Sequence, residues 1–184
     1  MRIVAGAAKG RRLATPASVT RPTSDRTREA LFNTLAARLR LEGARVLDLF
    51  AGTGAVGLEA LSRGAAAAVL VEKDRRALEV LRRNVEAVGL PGAVVVGRPV
   101  NAYLSDTPDA PFELVFADPP YALDPGKFAG LVAQLADGAW LAPDAWVVVE
   151  YGVRNDVSAV LSTLLTPAAE KRYGDTVLWY GRPR

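Results

Sequence analysis

Val46-Leu47-Asp48-Leu49-Phe50-Ala51-Gly52-Thr53-Gly54-Ala55-Val56-Gly57-Leu58-Glu59 is the stretch whose reading decides the fold. An apolar run ends near an acidic residue, breaks into a glycine loop and resumes with helical spacing. That is a buried strand, a tight turn, and a helix whose first turn faces a ligand. Gly52 and Gly54 remove side chains where a cofactor would approach the backbone. Asp48, at the strand's carboxyl end, is placed to bond that cofactor. The spacing Gly52-x-Gly54-x-x-Gly57 is also the dinucleotide fingerprint, and an acidic residue, Glu72, follows about 20 positions after the first glycine. The stretch specifies a nucleoside cofactor at a strand–helix turn and leaves open which one.

A chain of 184 residues, half of them apolar and 23% charged, fits one domain with a full core. No window approaches 18 uncharged apolar residues and no signal-peptide core is present, so a cytoplasmic protein without membrane contact is expected. Cysteine and histidine are both absent. Disulfides, thiolate zinc sites, serine–histidine triads and imidazole bases are thereby excluded, and no metal site is expected. The chemistry must run on carboxylates, amides, hydroxyls, aromatics, lysine, arginine and backbone.

The net charge of +3 is unevenly spread. Residues 1–40 hold nine Lys/Arg against two acidic residues, whereas the remaining 144 hold 14 basic and 18 acidic. A basic front end on a mildly acidic body suggests a polyanionic partner docking at one place. The alternative is a solvated arm with no partner.

Within that front end, residues 2–6 and 11–14 read as two short strands of a hairpin, with Gly10 at a positive-φ position. Its basic residues Arg2, Lys9, Arg11 and Arg12 make it a nucleic-acid contact rather than a core element. Residues 16–22 read as a linker. Thr23, Ser24 and Asp25 offer N-caps to a helix over 26–39, with Leu31, Leu35 and Leu39 on its apolar face.

Strands are expected at 45–50, 67–72, 94–97, 112–117 and 146–151, alternating with helices at 56–62, 75–88, 127–136 and 157–164. Asp74 and Gly89 cap the second of these helices. Residues 168–173 and 176–180 flank Gly174-Asp175, a turn signal for a terminal antiparallel pair. The alternation implies an α/β fold with a mostly parallel sheet, whose ligands sit beyond the strands' carboxyl ends. Asp48, Glu72, Asn101 and Asp118 all fall there.

Asp118-Pro119-Pro120-Tyr121 carries the most specific chemistry. Two prolines fix the backbone and remove two donors, leaving carbonyls free to accept. A carboxylate and a carbonyl then suit an exocyclic amino group on a flat base, with Tyr121 stacking on the ring at roughly 1–3 kcal/mol.

These motifs resemble the class I S-adenosylmethionine-dependent methyltransferases. The run Arg21-Pro22-Thr23-x-Asp25-Arg26-x-Arg28-Glu29-x-Leu31-Phe32-Asn33, with the preceding basic hairpin, resembles the bacterial 16S ribosomal RNA guanine-N2 methyltransferases. The resemblance implies a Rossmann-like fold, with a basic hairpin arm over 1–20 and a catalytic domain over 21–184. It implies S-adenosylmethionine as cofactor and ribosomal RNA, in the assembling small subunit, as partner; the chain's size and the lack of an obvious apolar surface stripe favour a monomer.

Position by position, the resemblance assigns Glu72 to the ribose hydroxyls and Gly52, Gly54 and Asp48 to the methionine part. Asn101 and Ala102 border the adenine, and Phe50 and Lys73 complete the cofactor wall. Asn101 departs from the aspartate that many class I enzymes carry after the third strand. Arg21, Thr23, Asp25 and Arg28 would lie over the site, with Thr23 and Arg28 on the cofactor. Arg2, Lys9, Arg11, Arg12, Arg21 and Arg26 would grip RNA, and Asp118, Pro119, Pro120 and Tyr121 would carry catalysis. Rival readings are a nicotinamide dehydrogenase, methylation of adenine N6 or of a protein side-chain amide, and a binding module with a vestigial pocket.

Overall fold

The structure, a computed structural model, describes residues 1–15 and 24–184. Arg21, Thr23, the linker at 16–22 and the boundary between 20 and 21 lie outside the described residues. Seven strands form one sheet: β1 (Arg45–Leu49), β2 (Ala67–Val71), β3 (Ala93–Val96), β4 (Phe112–Ala117), β5 (Leu141–Gly152), β6 (Thr166–Tyr173) and β7 (Thr176–Arg182). Their order is β3-β2-β1-β4-β5-β7-β6. The first five run parallel, and β7 enters antiparallel between β5 and β6. This is the mostly parallel sheet with a terminal antiparallel pair that the alternation predicts.

Six helices cover it: α1 (Asp25–Ala36), α2 (Ala55–Ser62), α3 (Arg75–Val88), α4 (Val100–Leu104), α5 (Pro125–Asp137) and α6 (Ser158–Leu164). Both faces of the sheet are buried, so the parallel strands are mostly apolar rather than alternating. Val46, Leu114, Phe116 and Val148 point to the side of α1 and α2. Leu47, Val115, Val147 and Val149 point to the side of α5 and α6.

Asp74 accepts from the Ala77 amide to cap α3, and Gly89 ends that helix in the left-handed region. Among the described residues, no helix is long and apolar enough to cross a membrane.

The amino-terminal arm departs from its expected role. It is a hairpin, with Ile3 and Arg11 sharing a backbone bond at 2.9 Å and Gly10 at φ 84°. Yet Ile3, Ala8 and Leu13 are buried with Leu31, Phe32 and Leu35 of α1 and with α2. The arm is therefore part of the core on its inner face and basic only on its outer one.

α2 holds it through two side chains. Glu59 accepts from the Val4 and Ala5 amides at 2.8 and 3.0 Å. Ser62 Oγ donates to the Ala5 carbonyl and accepts from the Ala8 amide. Gly6 must be glycine, because its φ is 81° and a Cβ would lie 1.7 Å from the Ser62 carbonyl oxygen. Farther along, the buried Asn84 of α3 bonds both the amide and the carbonyl of Ala14, at 2.8 and 3.1 Å. The same side chain donates to the Thr53 carbonyl of the glycine loop at 2.9 Å.

This packing engages two arginines. Arg28 is fully buried and donates to Glu59, Asp25 and the Arg2 carbonyl, so it ties the arm to α1 and α2 instead of reaching over a cofactor. Arg11, though exposed, also has a structural partner: it donates to the Val88 carbonyl at the end of α3, satisfying an orphan helix acceptor.

Candidate active site

The glycine loop is built by a carboxylate from below. Gly54 caps α2 with φ 78° and no side chain, so the first-turn amides need another acceptor. Asp48 supplies it: Oδ2 accepts from the Gly57 amide at 2.9 Å, where the helix dipole also favours negative charge. Burial, with Glu72 nearby, pushes the Asp48 carboxyl up to about 7 against the Gly57 bond. Phe50, just past β1, takes a left-handed φ of 61°, a conformation rare for a bulky residue and typical of ligand clamps.

The fingerprint glycines divide their work. A Cβ at Gly54 would lie 2.2 Å from Leu81 Cδ1, and one at Gly57 would lie 2.4 Å from Leu70 Cδ2. Gly57 serves close helix–sheet packing and Gly54 close packing against α3, which revises the expectation that Gly54 leaves room for a ligand. Gly52 alone opens outward, with nothing nearer than the Phe50 carbonyl oxygen at 3.9 Å.

Glu72 fixes that loop from β2. Oε2 accepts from the Gly52 amide at 2.9 Å, and Oε1 accepts from Lys73 and Asp74 at 2.7 and 2.8 Å. A carboxylate has about four acceptor positions. One remains, on Oε2, so holding two ribose hydroxyls requires releasing one of these backbone bonds.

Above the carboxyl ends of β1, β2 and β4 opens a cavity of about 790 Å³, lined by Phe50, Val71, Glu72, Lys73, Asn101, Asp118, Pro120, Leu123 and Leu131 among others. A second cavity of about 300 Å³ is lined by Pro119, Pro120, Tyr121, Tyr151, Gly152 and Arg154 among others. Pro120 and Leu123 line both, so Asp118-Pro119-Pro120 stands between them. Ala102 lies behind the first wall, its carbonyl accepting from Arg98 and Ser105.

Asp118 is half-buried, and its carboxyl is raised well above 3.8 by burial, then by the charges of Glu150 and Asp48. The register explains the neighbours: Ala117 pairs with Val149 and with Leu49, which puts Glu150 one step along β5 beside Asp118. Tyr121 is 62% exposed, and its ring edge lies over Gly152, where a Cβ would approach Cε1 to 2.8 Å. One edge of the ring is thus held by backbone.

Several contributors went unread in the sequence. Glu150 looks like an ordinary strand residue, and Lys127 and Gln134 like the polar face of α5, although both line the larger cavity. Arg154, Asn155 and Asp156 follow the carboxyl end of β5, and the rule that singled out Asp48 and Asp118 points to them equally.

The cavity fits a nucleoside carrying an amino-acid tail. Its volume is in the range of small-molecule sites. Apolar Val71, Val100 and Leu131 suit a flat base, Glu72 and Asn101 suit hydroxyls and an amino group, and Gly52 leaves the loop open. This fold and this site define a class I S-adenosylmethionine-dependent methyltransferase.

The family profile described as Conserved hypothetical protein 95 matches residues 1–182. Ribosomal RNA small subunit methyltransferase D of Escherichia coli K12 is 41% identical over 87% of this chain and 79% of its own length. The protein of the same name from Haemophilus influenzae is 34% identical over 82% and 78%. Among solved structures, yhhF of Escherichia coli superposes with a TM-score of 0.85 at 37% identity, covering 100% of this chain and 98% of that one. The Thermus thermophilus protein TTHA0928 gives 0.82 at 38% identity, covering 98% of each. The chain belongs to the Conserved hypothetical protein 95 family, together with the small-subunit ribosomal RNA methyltransferases D.

Proposed function

We propose that this protein methylates the exocyclic N2 amino group of a guanine in 16S ribosomal RNA of the small subunit, using S-adenosylmethionine. One observation carries the reading: Asp118-Pro119-Pro120 forms the partition between a nucleoside-sized cavity and a base-sized one. When bound, the cofactor supplies a methyl group already made electrophilic by the sulfonium, so the protein's task is alignment.

Glu72 and Asn101 hold the nucleoside end of the larger cavity, and Gly52 leaves the loop backbone open to the amino-acid end. In the smaller cavity Tyr121 takes one face of a base that has left its stack. The Asp118 carboxylate and the Pro119 carbonyl each accept an N–H from the amino group. That localises a lone pair otherwise delocalised into the ring and aims it at the partition. Proximity and orientation of this kind contribute several kcal/mol. The raised carboxyl of Asp118 also makes it a fit acceptor for the proton shed after transfer, so no histidine is required.

The outer face of the arm supplies the polynucleotide grip. Arg2, Lys9 and Arg26 share a cleft of about 240 Å³ between hairpin and α1. Arg12 is exposed on the same arm. Among the described residues the large apolar side chains left exposed are Val94 and Tyr121, which supports a monomer.

The test incubates labelled S-adenosylmethionine and the protein with small subunits lacking the modification, then identifies the methylated nucleoside. N2-methylguanosine is expected; N6-methyladenosine or no label overturns the reading. Asp118→Ala should abolish transfer while S-adenosylhomocysteine affinity stays within about twofold. Equal loss of both contradicts its role.

A further inference from the structure

An acidic tip and a carbonyl accept any exocyclic amine, so the partition by itself does not tell guanine from adenine. The turn after β5 also lines the smaller cavity, and it is firmly built. The Asn155 amide donates to the Gly152 carbonyl at 2.7 Å, and the Val153 amide to the Asp175 carbonyl at 3.0 Å. Asp156 accepts from the Ser158 amide at 2.8 Å, a bond that holds its carboxyl below the usual range. The Tyr151 hydroxyl donates to Glu170.

Those polar groups are engaged. Among the described residues Arg154 is the cavity's single cationic lining residue, is exposed, and makes no hydrogen bond or ion pair. A rigid turn thus presents an unused guanidinium to a base-sized space that Pro119 and Tyr121 also line.

The chemistry of the two purines decides what it meets. A guanine whose N2 is held at Asp118 turns its O6 and N7 acceptors away from the partition, and a guanidinium reads that pair bidentately. An adenine whose N6 is held at Asp118 keeps its N6/N7 edge at the partition and turns only its N3 side away, so it offers the guanidinium no paired acceptors. We propose that Arg154 is a specificity residue, contacting O6 and N7 of the flipped guanine and rejecting adenine. This rests on the function proposed above and names the group that enforces it.

The test uses small subunits rebuilt with 16S ribosomal RNA carrying either guanosine or 7-deazaguanosine at the mapped target, the latter lacking only the N7 acceptor. Native protein should lose on the order of tenfold in kcat/KM on the deaza substrate, the worth of one charge-assisted hydrogen bond. Arg154→Ala should lose a similar or larger factor on guanosine and show no further loss on the deaza base. Unchanged S-adenosylhomocysteine affinity verifies that the variant is folded.

Arg154→Lys keeps the charge but not the fork, so it should remain close to the alanine variant. If Arg154→Ala still discriminates between the two bases as native protein does, the assignment is overturned. The assignment fails equally if lysine restores activity and alanine merely lowers the salt dependence by about one phosphate. Native protein that yields no N2-methylguanosine at all removes the function itself, a result separate from either of these.

Discussion

Asp118 works beside two other carboxylates, Glu150 along β5 and Asp48 beneath the glycine loop, and repulsion among them adds to burial in setting its protonation. Its charged form is the better acceptor for an amine N–H. Activity should therefore fall with decreasing pH through an ionisation lying well above 3.8. Glu150→Gln removes one like charge without changing shape and should move that limb to lower pH. A limb that stays in place in kcat/KM profiles assigns it to another group.

Asp48 gives the complementary effect on stability. Its carboxyl is raised from 3.8 to about 7 in the folded chain, so between those values the unfolded chain binds fewer protons and stability falls as pH rises. Asp48→Asn keeps an oxygen for the Gly57 amide and removes the buried charge. Relative to native protein it should gain stability across that window, by roughly 4 kcal/mol at most, then level off. Urea melts at a series of pH values measure this; a constant difference means Asp48 does not titrate there. At Gly152, alanine would displace the Tyr121 ring into open solvent. Its expected signature is a several-fold higher KM for small subunits with an unchanged melting temperature.

At the level of elements, the hairpin, α1 and α2 are joined by the buried Glu59, which accepts from Val4, Ala5, Arg28 and Arg63. Glu59→Ala strips all four donors of their acceptor at a cost of about 3–5 kcal/mol. For a chain of this size that is on the order of a 10 °C drop in melting temperature. A drop of only a degree or two would show that the arm is held by apolar contacts alone.

This hub was illegible in sequence because Arg28 and Glu59 stand 31 residues apart and nothing local distinguishes a buried arginine from a reaching one. The hairpin was half legible: its turn and strands follow from Gly10 and the flanking runs, but three apolar residues scattered among basic ones hid its inner face. α3 and β4 match their expected bounds, since capping residues mark the one and an apolar run broken only by Glu113 marks the other. β5 begins at Leu141 instead of residue 146, because Pro143 and Asp144 disguise its first residues.

For the whole molecule, the charge asymmetry becomes a placed surface. Neutralising Lys9, Arg12 and Arg26 together should weaken binding to small-subunit RNA and lower the salt slope by about one for each phosphate no longer neutralised. An unchanged slope would take the arm out of the interface. Arg11 belongs outside that set, as its loss should lower stability through the α3 terminus.

Glu72, Asn101 and Asp118 could be located from sequence because a parallel sheet gathers its carboxyl ends on one rim. Arg154 shares that rim and was passed over, since no motif surrounds it.

One carboxamide gives this architecture a clutch. Asn84 clasps Ala14 with two bonds and the Thr53 carbonyl with a third, so one side chain links the arm proposed to grip RNA to the glycine loop beside the nucleoside-sized cavity. Mutual influence between two such sites is symmetric by thermodynamic necessity. Native protein should therefore bind S-adenosylhomocysteine with a different Kd once RNA is on board, and RNA with a correspondingly different Kd once the seat is filled. Trimming Asn84 to alanine should leave each grip in place and make both indifferent to the other.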